Sequence, residues 1–142
     1  MRRFFMSLLI GIAASPGCLH LTQATWNIDT PATMKTVLLQ HVPPGTPVQQ
    51  AKQFMEHEGF ACTMKRNGTF YERFSWRDSG PKHEGIDFLE CQRTQNESFM
   101  MSRNWKIALV LQNDLVTDIL VGHWVDGPKT DEHSAPTGRP RE

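Results

Sequence analysis

The sequence predicts an α+β fold in which one or two helices pack on an antiparallel sheet of about four strands. The periodicity of the apolar residues is the basis of this prediction. They recur every three to four positions over residues 47–58, which is typical of a helix with one buried face. From Phe60 onward they tend to alternate with polar residues, which is typical of half-buried strands. A chain of 142 residues, 39% of them hydrophobic, is long enough for one such domain and its flanking segments.

The best-marked element is the helix over residues 47–58. Thr46 is a good N-cap, Pro47 is favourable at the first helical position, and Gln49 completes a capping box. Gly59 supplies a left-handed stop, after which Phe60 can fold back on the last turn of the helix. The apolar positions expected to face the core are Val48, Ala51, Phe54 and Met55.

The segment before this helix has two interpretations. Apolar residues at positions 34, 37, 38 and 39 follow Thr30 and Pro31, which favours a shorter helix. Residues 36–42 are also compatible with an edge strand, because they include several β-branched and apolar side chains. In either case residues 42–45, with the sequence Val-Pro-Pro-Gly, should form a turn into the second helix.

The strongest β signal is the pair of segments 105–112 and 115–125. Residues 105, 107, 109 and 111 are large and apolar and share one face of the first segment. Asn113 and Asp114, which separate the two segments, tolerate the positive φ of a hairpin turn. We therefore expect these segments to be adjacent antiparallel strands.

Residues 60–65 and 86–93 are the other two strand candidates. Residues 68–76 between them are rich in aromatic side chains and form either an additional strand or a mobile flap. Residues 78–85, with the sequence Asp-Ser-Gly-Pro-Lys-His-Glu-Gly, are predicted as a loop from their composition.

The first seventeen residues have the layout of a secretory signal peptide. Two arginines precede an apolar run at residues 4–14, which is too short to span a bilayer as a helix. The following Gly17 and Cys18 resemble the lipobox of bacterial lipoproteins, whose cysteine is diacylated and becomes the new N-terminus. We therefore expect lipidation at Cys18. The alternatives are ordinary cleavage nearby, which would release a soluble protein, and loss of Cys18 with the peptide.

Composition divides the remainder of the chain into three parts. Residues 18–30 have no clear periodicity and are predicted as a lipidated tether, and residues 31–125 as the folded domain. Residues 126–142 contain several prolines and almost no apolar side chains, so they are predicted as a disordered tail.

The cysteine count agrees with export. If Cys18 carries a lipid, Cys62 and Cys91 remain as a pair in an oxidising compartment. A disulfide between them would stabilise the fold by about 3 kcal/mol in the chain-entropy model. The alternative is a pair of small buried thiols.

The sequence lacks the common catalytic and metal-binding motifs that have a fixed spacing. The chain contains no HExxH, no Cys-x-x-Cys, no Gly-x-Ser-x-Gly and no phosphate loop, so we expect no enzyme, no metal and no cofactor. His123 near Asp118 and Asp126 is the remaining acid/base candidate, and a free thiol at position 62 or 91 is the remaining nucleophile. Fifteen basic and fifteen acidic residues give a neutral chain, which argues against a nucleic-acid partner.

The aromatic segment 68–85 supplies the candidate partner-binding residues. Aromatic side chains interleaved with arginines are typical of interaction hot spots. The alternative is a strand with one face on the core. The candidates are Phe70, Tyr71, Phe74 and Trp76.

The order of elements resembles the small SmpA/OmlA lipoprotein module, which shares its architecture with the repeat of β-lactamase-inhibitor-protein-like domains. The residues that carry this resemblance are Leu38, Val42, Gly45, Thr46, Val48 and Gln49 at the helix start, with Leu115 and Val116 opening the last strand. The resemblance covers residues 34–125 and implies a lipid-anchored periplasmic binding or scaffolding domain without catalytic residues.

The leading hypothesis is therefore a non-enzymatic exported lipoprotein, periplasmic or on the outer surface, that binds an envelope or protein partner. The alternative is a soluble secreted inhibitor or ligand-binding domain that uses the 68–85 segment.

Overall fold

The predicted α+β fold is confirmed: two helices pack on a four-stranded antiparallel sheet. The structure is a computed structural model that describes residues 23–75 and 78–127. The predicted signal peptide, Cys18, Trp76 and the predicted tail beyond residue 127 lie outside these residues. The elements in chain order are α1 (Pro31–His41), α2 (Val48–His57), β1 (Ala61–Ser75), β2 (Asp78–Ser98), β3 (Met101–Gln112) and β4 (Leu115–Asp126). The strands lie side by side in sequence order, each antiparallel to the next.

Helix α1 settles the ambiguity upstream of residue 42 in favour of a helix. Thr30 is its N-cap, and the Thr30 hydroxyl accepts a hydrogen bond from the backbone N–H of Thr33 at 3.2 Å. Met34 and Leu38 lie one turn apart and are both fully buried, so one face of α1 is fixed to the core.

Helix α2 ends as predicted but begins differently. Phe60 N–H donates to the Met55 carbonyl and Gly59 N–H to the Glu56 carbonyl, each at 3.0 Å, and Gly59 has a φ of +84°. These bonds form a Schellman motif. The predicted capping box at Thr46 is wrong, because the Thr46 hydroxyl instead donates to the Pro43 carbonyl at 2.6 Å and α2 begins at Val48.

The start of α2 is held by the β3–β4 turn. Val48 N–H donates to the Asp114 carbonyl at 2.9 Å, and Val116 N–H donates to the Thr46 carbonyl at the same distance. Gly45 N–H donates to the Val116 carbonyl at 2.7 Å. The segment between the helices thus pairs with the beginning of β4, which explains why no side-chain cap is needed there.

The two faces of the sheet have separate cores. On the helix face, α1 and α2 cover alternate residues of the strands, and the fully buried side chains there include Trp105, Ile107, Leu109 and Ile119. On the opposite face, which we call the hairpin face, a smaller cluster contains Phe70, Phe88, Ala108 and Leu120.

The prediction of a loop at residues 78–85 is wrong, since these residues begin β2 and pair with β1. Phe70 pairs with His83 and Tyr71 with Lys82. Composition suggested a loop because glycine and proline are common in turns, but β1 provides backbone partners that composition does not reveal. The 68–76 segment is likewise the second half of β1, as far as residue 75, and not a separate strand.

The outer half of this β1–β2 hairpin covers the hairpin face of the sheet. Register shifts interrupt the pairing between Lys65 and Ser75, and bulges of this kind bend a hairpin. A Cβ placed on Gly122 of β4 would lie 3.4 Å from both the Tyr71 carbonyl oxygen and the Arg73 nitrogen. Glycine at position 122 therefore permits the close approach of β1 to a strand at the other edge of the sheet.

The packed unit begins earlier than the predicted boundary at residue 31. Residues 23–30, which we call the lead-in, include Thr25 and Ile28, and both of these are buried. The described part of the predicted tether is thus in contact with the domain.

Candidate functional site

A disulfide joins Cys62 of β1 to Cys91 of β2, as predicted. The two residues are opposite each other in the register, with their Cα atoms 4.1 Å apart. Cys91 is fully buried in the core of the helix face. The bond therefore ties the edge strand of the sheet to its neighbour, and both thiols are consumed.

The lead-in is attached to the domain by the buried Arg93. Its Nη1 atom donates to the Thr25 hydroxyl and to the Glu58 carbonyl, both at 2.7 Å, and its Nη2 atom donates to the Thr25 carbonyl at 2.7 Å. The guanidinium lies over the rings of Trp26 and Phe60, 5.3 and 4.3 Å from their centroids. Burial lowers the pKa of Arg93 to about 10, although the negative charge of Glu58 acts to raise it. The guanidinium is therefore still a cation at neutral pH.

Glu58, at the C-terminal end of α2, completes this attachment. Its buried carboxylate accepts hydrogen bonds from the Thr25 hydroxyl at 2.7 Å and from the Thr25 N–H at 2.9 Å. Trp26 Nε1 donates to the Glu58 carbonyl at 3.2 Å. We call Thr25, Glu58 and Arg93 the latch, because together they fix the lead-in to both α2 and β2.

Beyond the latch, the lead-in runs along the sheet toward the β2–β3 turn. Gln95 Nε2 donates to the Trp26 carbonyl at 3.3 Å. Arg103 Nη1 donates to the Ile28 carbonyl at 2.7 Å and to Asp29 Oδ1 at 2.5 Å. The other terminal nitrogen of Arg103 pairs with Glu97, close to the turn. We call this end of the sheet the upper end, and the end at the β3–β4 turn the lower end.

The β2–β3 turn at the upper end exposes a run of three large apolar side chains. Phe99 is 98% exposed, Met100 60% and Met101 44%. We call these residues the apolar tip. They border an open cleft of about 480 Å³ whose other lining residues are Asn96, Ser98, Ser102, Asp126 and Gly127. Sequence reasoning missed the tip, although the signal was available: a Phe-Met-Met run between strand candidates, where a turn is usually polar.

Of the predicted partner-binding residues, the structure describes the side chains of Phe70 and Tyr71. Phe70 is fully buried and packs edge-on against Phe88, with the ring centroids 5.8 Å apart, so its side chain is not accessible to a partner. The bend of the hairpin onto the sheet explains this correction. Tyr71 is 48% exposed, and the Lys82 ammonium lies 5.8 Å from its ring centroid. The side chain of Phe74 and the whole of Trp76 lie outside the described residues.

The predicted acid/base candidates have separate partners. His123 packs on Trp105 with the ring centroids 4.2 Å apart, and its pKa is lowered by burial and by the nearby charge of Arg103. Asp118 pairs with Lys35 at 3.1 Å, and Asp126 accepts a hydrogen bond from Asn104 at 2.8 Å. His123 is therefore not assembled with either aspartate into an acid/base pair. Within residues 23–75 and 78–127, no group of three or more His, Cys, Asp or Glu side chains could hold a metal ion.

Comparison of the chain with protein-family models, with curated proteins and with solved structures gave no match. The resemblance to the SmpA/OmlA module thus remains a prediction from the sequence. In the described part of the chain, no helix is both long and apolar enough to cross a membrane.

Proposed function

We propose that this protein is an exported, non-enzymatic lipoprotein, acylated at Cys18, whose α+β domain binds or scaffolds a partner at the cell envelope. The observation that carries the proposal is the latch. Thr25 lies only seven residues after Cys18, and it is bound on one side by Glu58 and on the other by Arg93. A lipid on Cys18 would therefore hold the domain close to the membrane.

The length of chain available supports this short spacing. Five residue steps separate Cys18 from Gln23, the first described residue, and such a segment spans at most about 18 Å. Gln23 itself contacts the domain, since its Nε2 atom donates to the His57 carbonyl at 3.5 Å. A domain on a long flexible tether would sample a wide shell above the membrane, whereas this one would be confined to its surface.

The disulfide supports the proposed compartment. Disulfides persist in secreted and periplasmic proteins and are rare where thiols are kept reduced. With Cys62 and Cys91 joined, Cys18 is the cysteine left for acylation among the three in the chain. The same bond argues against an enzyme that would use either of the other two thiols as a nucleophile.

The test of the anchor is metabolic labelling with radioactive palmitate. The wild-type chain should incorporate label into a membrane fraction, and Cys18→Ala should lose it. The matched control is the double variant Cys62→Ala/Cys91→Ala, which removes the other two cysteines and should keep the label. Equal labelling of wild type and Cys18→Ala would contradict the proposal.

The soluble alternative retains one specific observation, the exposure of Tyr71 on the outer half of the β1–β2 hairpin. It requires that the mature chain be released without lipid and that Tyr71→Ala weaken partner binding. Met64→Ala is the matched control, because Met64 is a similarly exposed apolar residue, 38% accessible, on the inner half of β1. Unlabelled protein in the medium together with a Tyr71-specific loss of binding would favour this alternative.

A further inference from the structure

The apolar tip is the most exposed concentration of large hydrophobic side chains in the described part of the chain. Phe99, at 98% exposure, makes almost no contact with the rest of the domain, and Met100 and Met101 are beside it. Exposed apolar clusters on soluble domains mark sites of interaction with a protein or a membrane. The tip is therefore a candidate interaction site.

The residues around the tip are polar, and most of them are uncharged. Asn96, Ser98 and Ser102 surround it together with Asp126, which accepts a hydrogen bond from Asn104, and Glu97 pairs with Arg103. An apolar projection with a polar collar matches the boundary between lipid headgroups and acyl chains, where an inserted element reaches about 5–10 Å deep. It does not match an anionic ligand, because no unpaired cation is described beside it.

The lead-in fixes the point from which the segment back to Cys18 can extend. Gln95 contacts Trp26 of the lead-in, and Phe99 lies four residues further along, a rise of about 13 Å in a strand. The segment from Cys18 to Gln23 reaches at most about 18 Å, so Cys18 can be level with the tip.

The two ends of the sheet are far apart. Strand β3 has 12 residues and separates them by about 40 Å, so a domain that stands with its tip at the membrane has its lower end well away from it. The upper end exposes three large apolar side chains and the lower end exposes Leu115, which favours the upper end as the one that faces the membrane.

We propose that the apolar tip, formed by Phe99, Met100 and Met101, inserts into the same membrane leaflet that holds the lipid on Cys18. The inference rests on the proposed lipid anchor. The lipid on Cys18 would attach the domain at one point and leave it free to tilt, whereas an inserted apolar element adds a second contact with the same leaflet. The tip would supply that second contact and would set the domain upright, with its lower end directed away from the membrane.

The test is photo-crosslinking of the full-length, acylated protein in vesicles of phosphatidylethanolamine and phosphatidylglycerol. In one variant p-benzoylphenylalanine replaces Phe99. In the matched control it replaces Leu115, which is 42% exposed at the lower end of the sheet. We expect a phospholipid adduct in the variant with the crosslinker at position 99 and no adduct in the variant with the crosslinker at position 115. Non-reducing mass spectrometry of the Cys62–Cys91 bond checks that both variants are folded.

The possible results distinguish the proposal for the tip from the proposal for the lipid anchor. An acylated Cys18 with no adduct at position 99, or with equal adducts at both positions, overturns the insertion and leaves the lipoprotein proposal standing. An unacylated Cys18 overturns both. In native membranes, an adduct of position 99 with one protein in place of phospholipid would overturn the insertion by showing a protein partner.

Discussion

The two hairpin turns at the ends of β3 are built in opposite ways. At the lower end, Asn113 and Asp114 have φ values of +53° and +60°, and the Asp114 carbonyl accepts a hydrogen bond from the first residue of α2. The Asp114 carboxylate also accepts one from Arg66 at 2.8 Å. At the upper end, Phe99 and Met100 form the turn and point into solvent.

This difference shows that one turn contributes to the stability of the fold, whereas the other is free to contact another molecule. The connection between α1 and α2 covers the lower turn, and the turn contributes backbone bonds to the fold. The lead-in reaches the upper end through Arg103 and Asp29 but leaves the tip uncovered. Substitutions at the lower end or in the latch should therefore change stability, and those at the tip should change the membrane contact that we propose for it.

The largest expected effect is in the latch, from Arg93→Ala. This substitution removes the buried cation beside the Glu58 carboxylate and three hydrogen bonds to the latch. Hydrogen bonds from a charged group contribute about 1.5–3 kcal/mol, and the buried Glu58 carboxylate also loses a nearby opposite charge, so we expect a loss of about 3 kcal/mol in the free energy of unfolding. Urea denaturation measures it. Lys52→Ala, which removes only an exposed ion pair with Glu56, is the control and should cost less than about 0.5 kcal/mol.

A latch variant as stable as the wild type would mean that the lead-in contributes nothing to the fold. Hydrogen exchange of the Thr25 N–H gives a second measurement, because this group donates to Glu58 at 2.9 Å in the intact latch. Arg93→Ala should accelerate its exchange, and Lys52→Ala should not.

The next largest effect is expected at the lower end, from Val116→Pro. Proline removes the N–H that donates to the Thr46 carbonyl and leaves that buried acceptor without a partner, which costs about 1–3 kcal/mol. Val116→Ala keeps the N–H and removes two buried carbons, at about 1.6 kcal/mol. Proline also lacks the valine methyl groups, so it loses the hydrogen bond in addition to that packing and should be the less stable of the two in urea denaturation. Equal stabilities would show that the pairing between the helix connection and β4 is not needed to hold the lower end.

The parts of this fold that the sequence predicts are those with local signals. The C-terminal end of α2 depends on Gly59 and Phe60, which are adjacent to the helix they terminate. The β3–β4 hairpin depends on two alternating segments and on Asn113 and Asp114 between them. The cysteine pair was predictable because the number of cysteines in the chain is small.

The parts that escape prediction depend on residues far apart in the chain. Arg93 is 68 residues from Thr25, and no local pattern relates them. The strand at residues 78–85 forms only because β1 is beside it, and the burial of Phe70 depends on the bend that carries it onto Ala108 and Leu120. The predicted start of α2 was wrong for the same reason, because the backbone N–H of Val48 bonds to the carbonyl of the remote Asp114 and not to a local side-chain cap.

A smaller effect on the free energy of unfolding is expected from the protonation of His123, which lies in the upper half of the sheet. Its pKa is lowered in the folded state, first by burial and second by Arg103. In the window between that lowered value and its ordinary value of 6.5, the unfolded chain binds a proton that the folded chain does not. Stability from this residue is therefore complete above the ordinary pKa and is lost as the pH falls below it.

Urea denaturation at about pH 7.5 and about pH 5.5 tests this sign. The free energy of unfolding should fall toward the lower pH, and the fall should be smaller in His123→Gln, which cannot be protonated. Asp87, whose pKa is lowered by the Asn67 N–H and by Arg66, loses its contribution only as the pH falls below its ordinary value of 3.8, outside this window. An unchanged fall in His123→Gln would assign the pH dependence to other groups.

The smallest expected effect on stability is at the tip, where the comparison between the two ends is most direct. Phe99→Ser and Met100→Ser replace side chains that are 98% and 60% exposed, so the folded state loses almost no buried apolar area. We expect the free energy of unfolding to stay within about 0.5 kcal/mol of the wild type. On vesicles the same double variant should stay attached through the lipid on Cys18 but lose the insertion, so p-benzoylphenylalanine at position 101 should give less phospholipid adduct than it does beside the wild-type Phe99 and Met100. A loss of more than about 1 kcal/mol in urea would show that the tip packs on the domain, since removal of exposed side chains cannot cost that much.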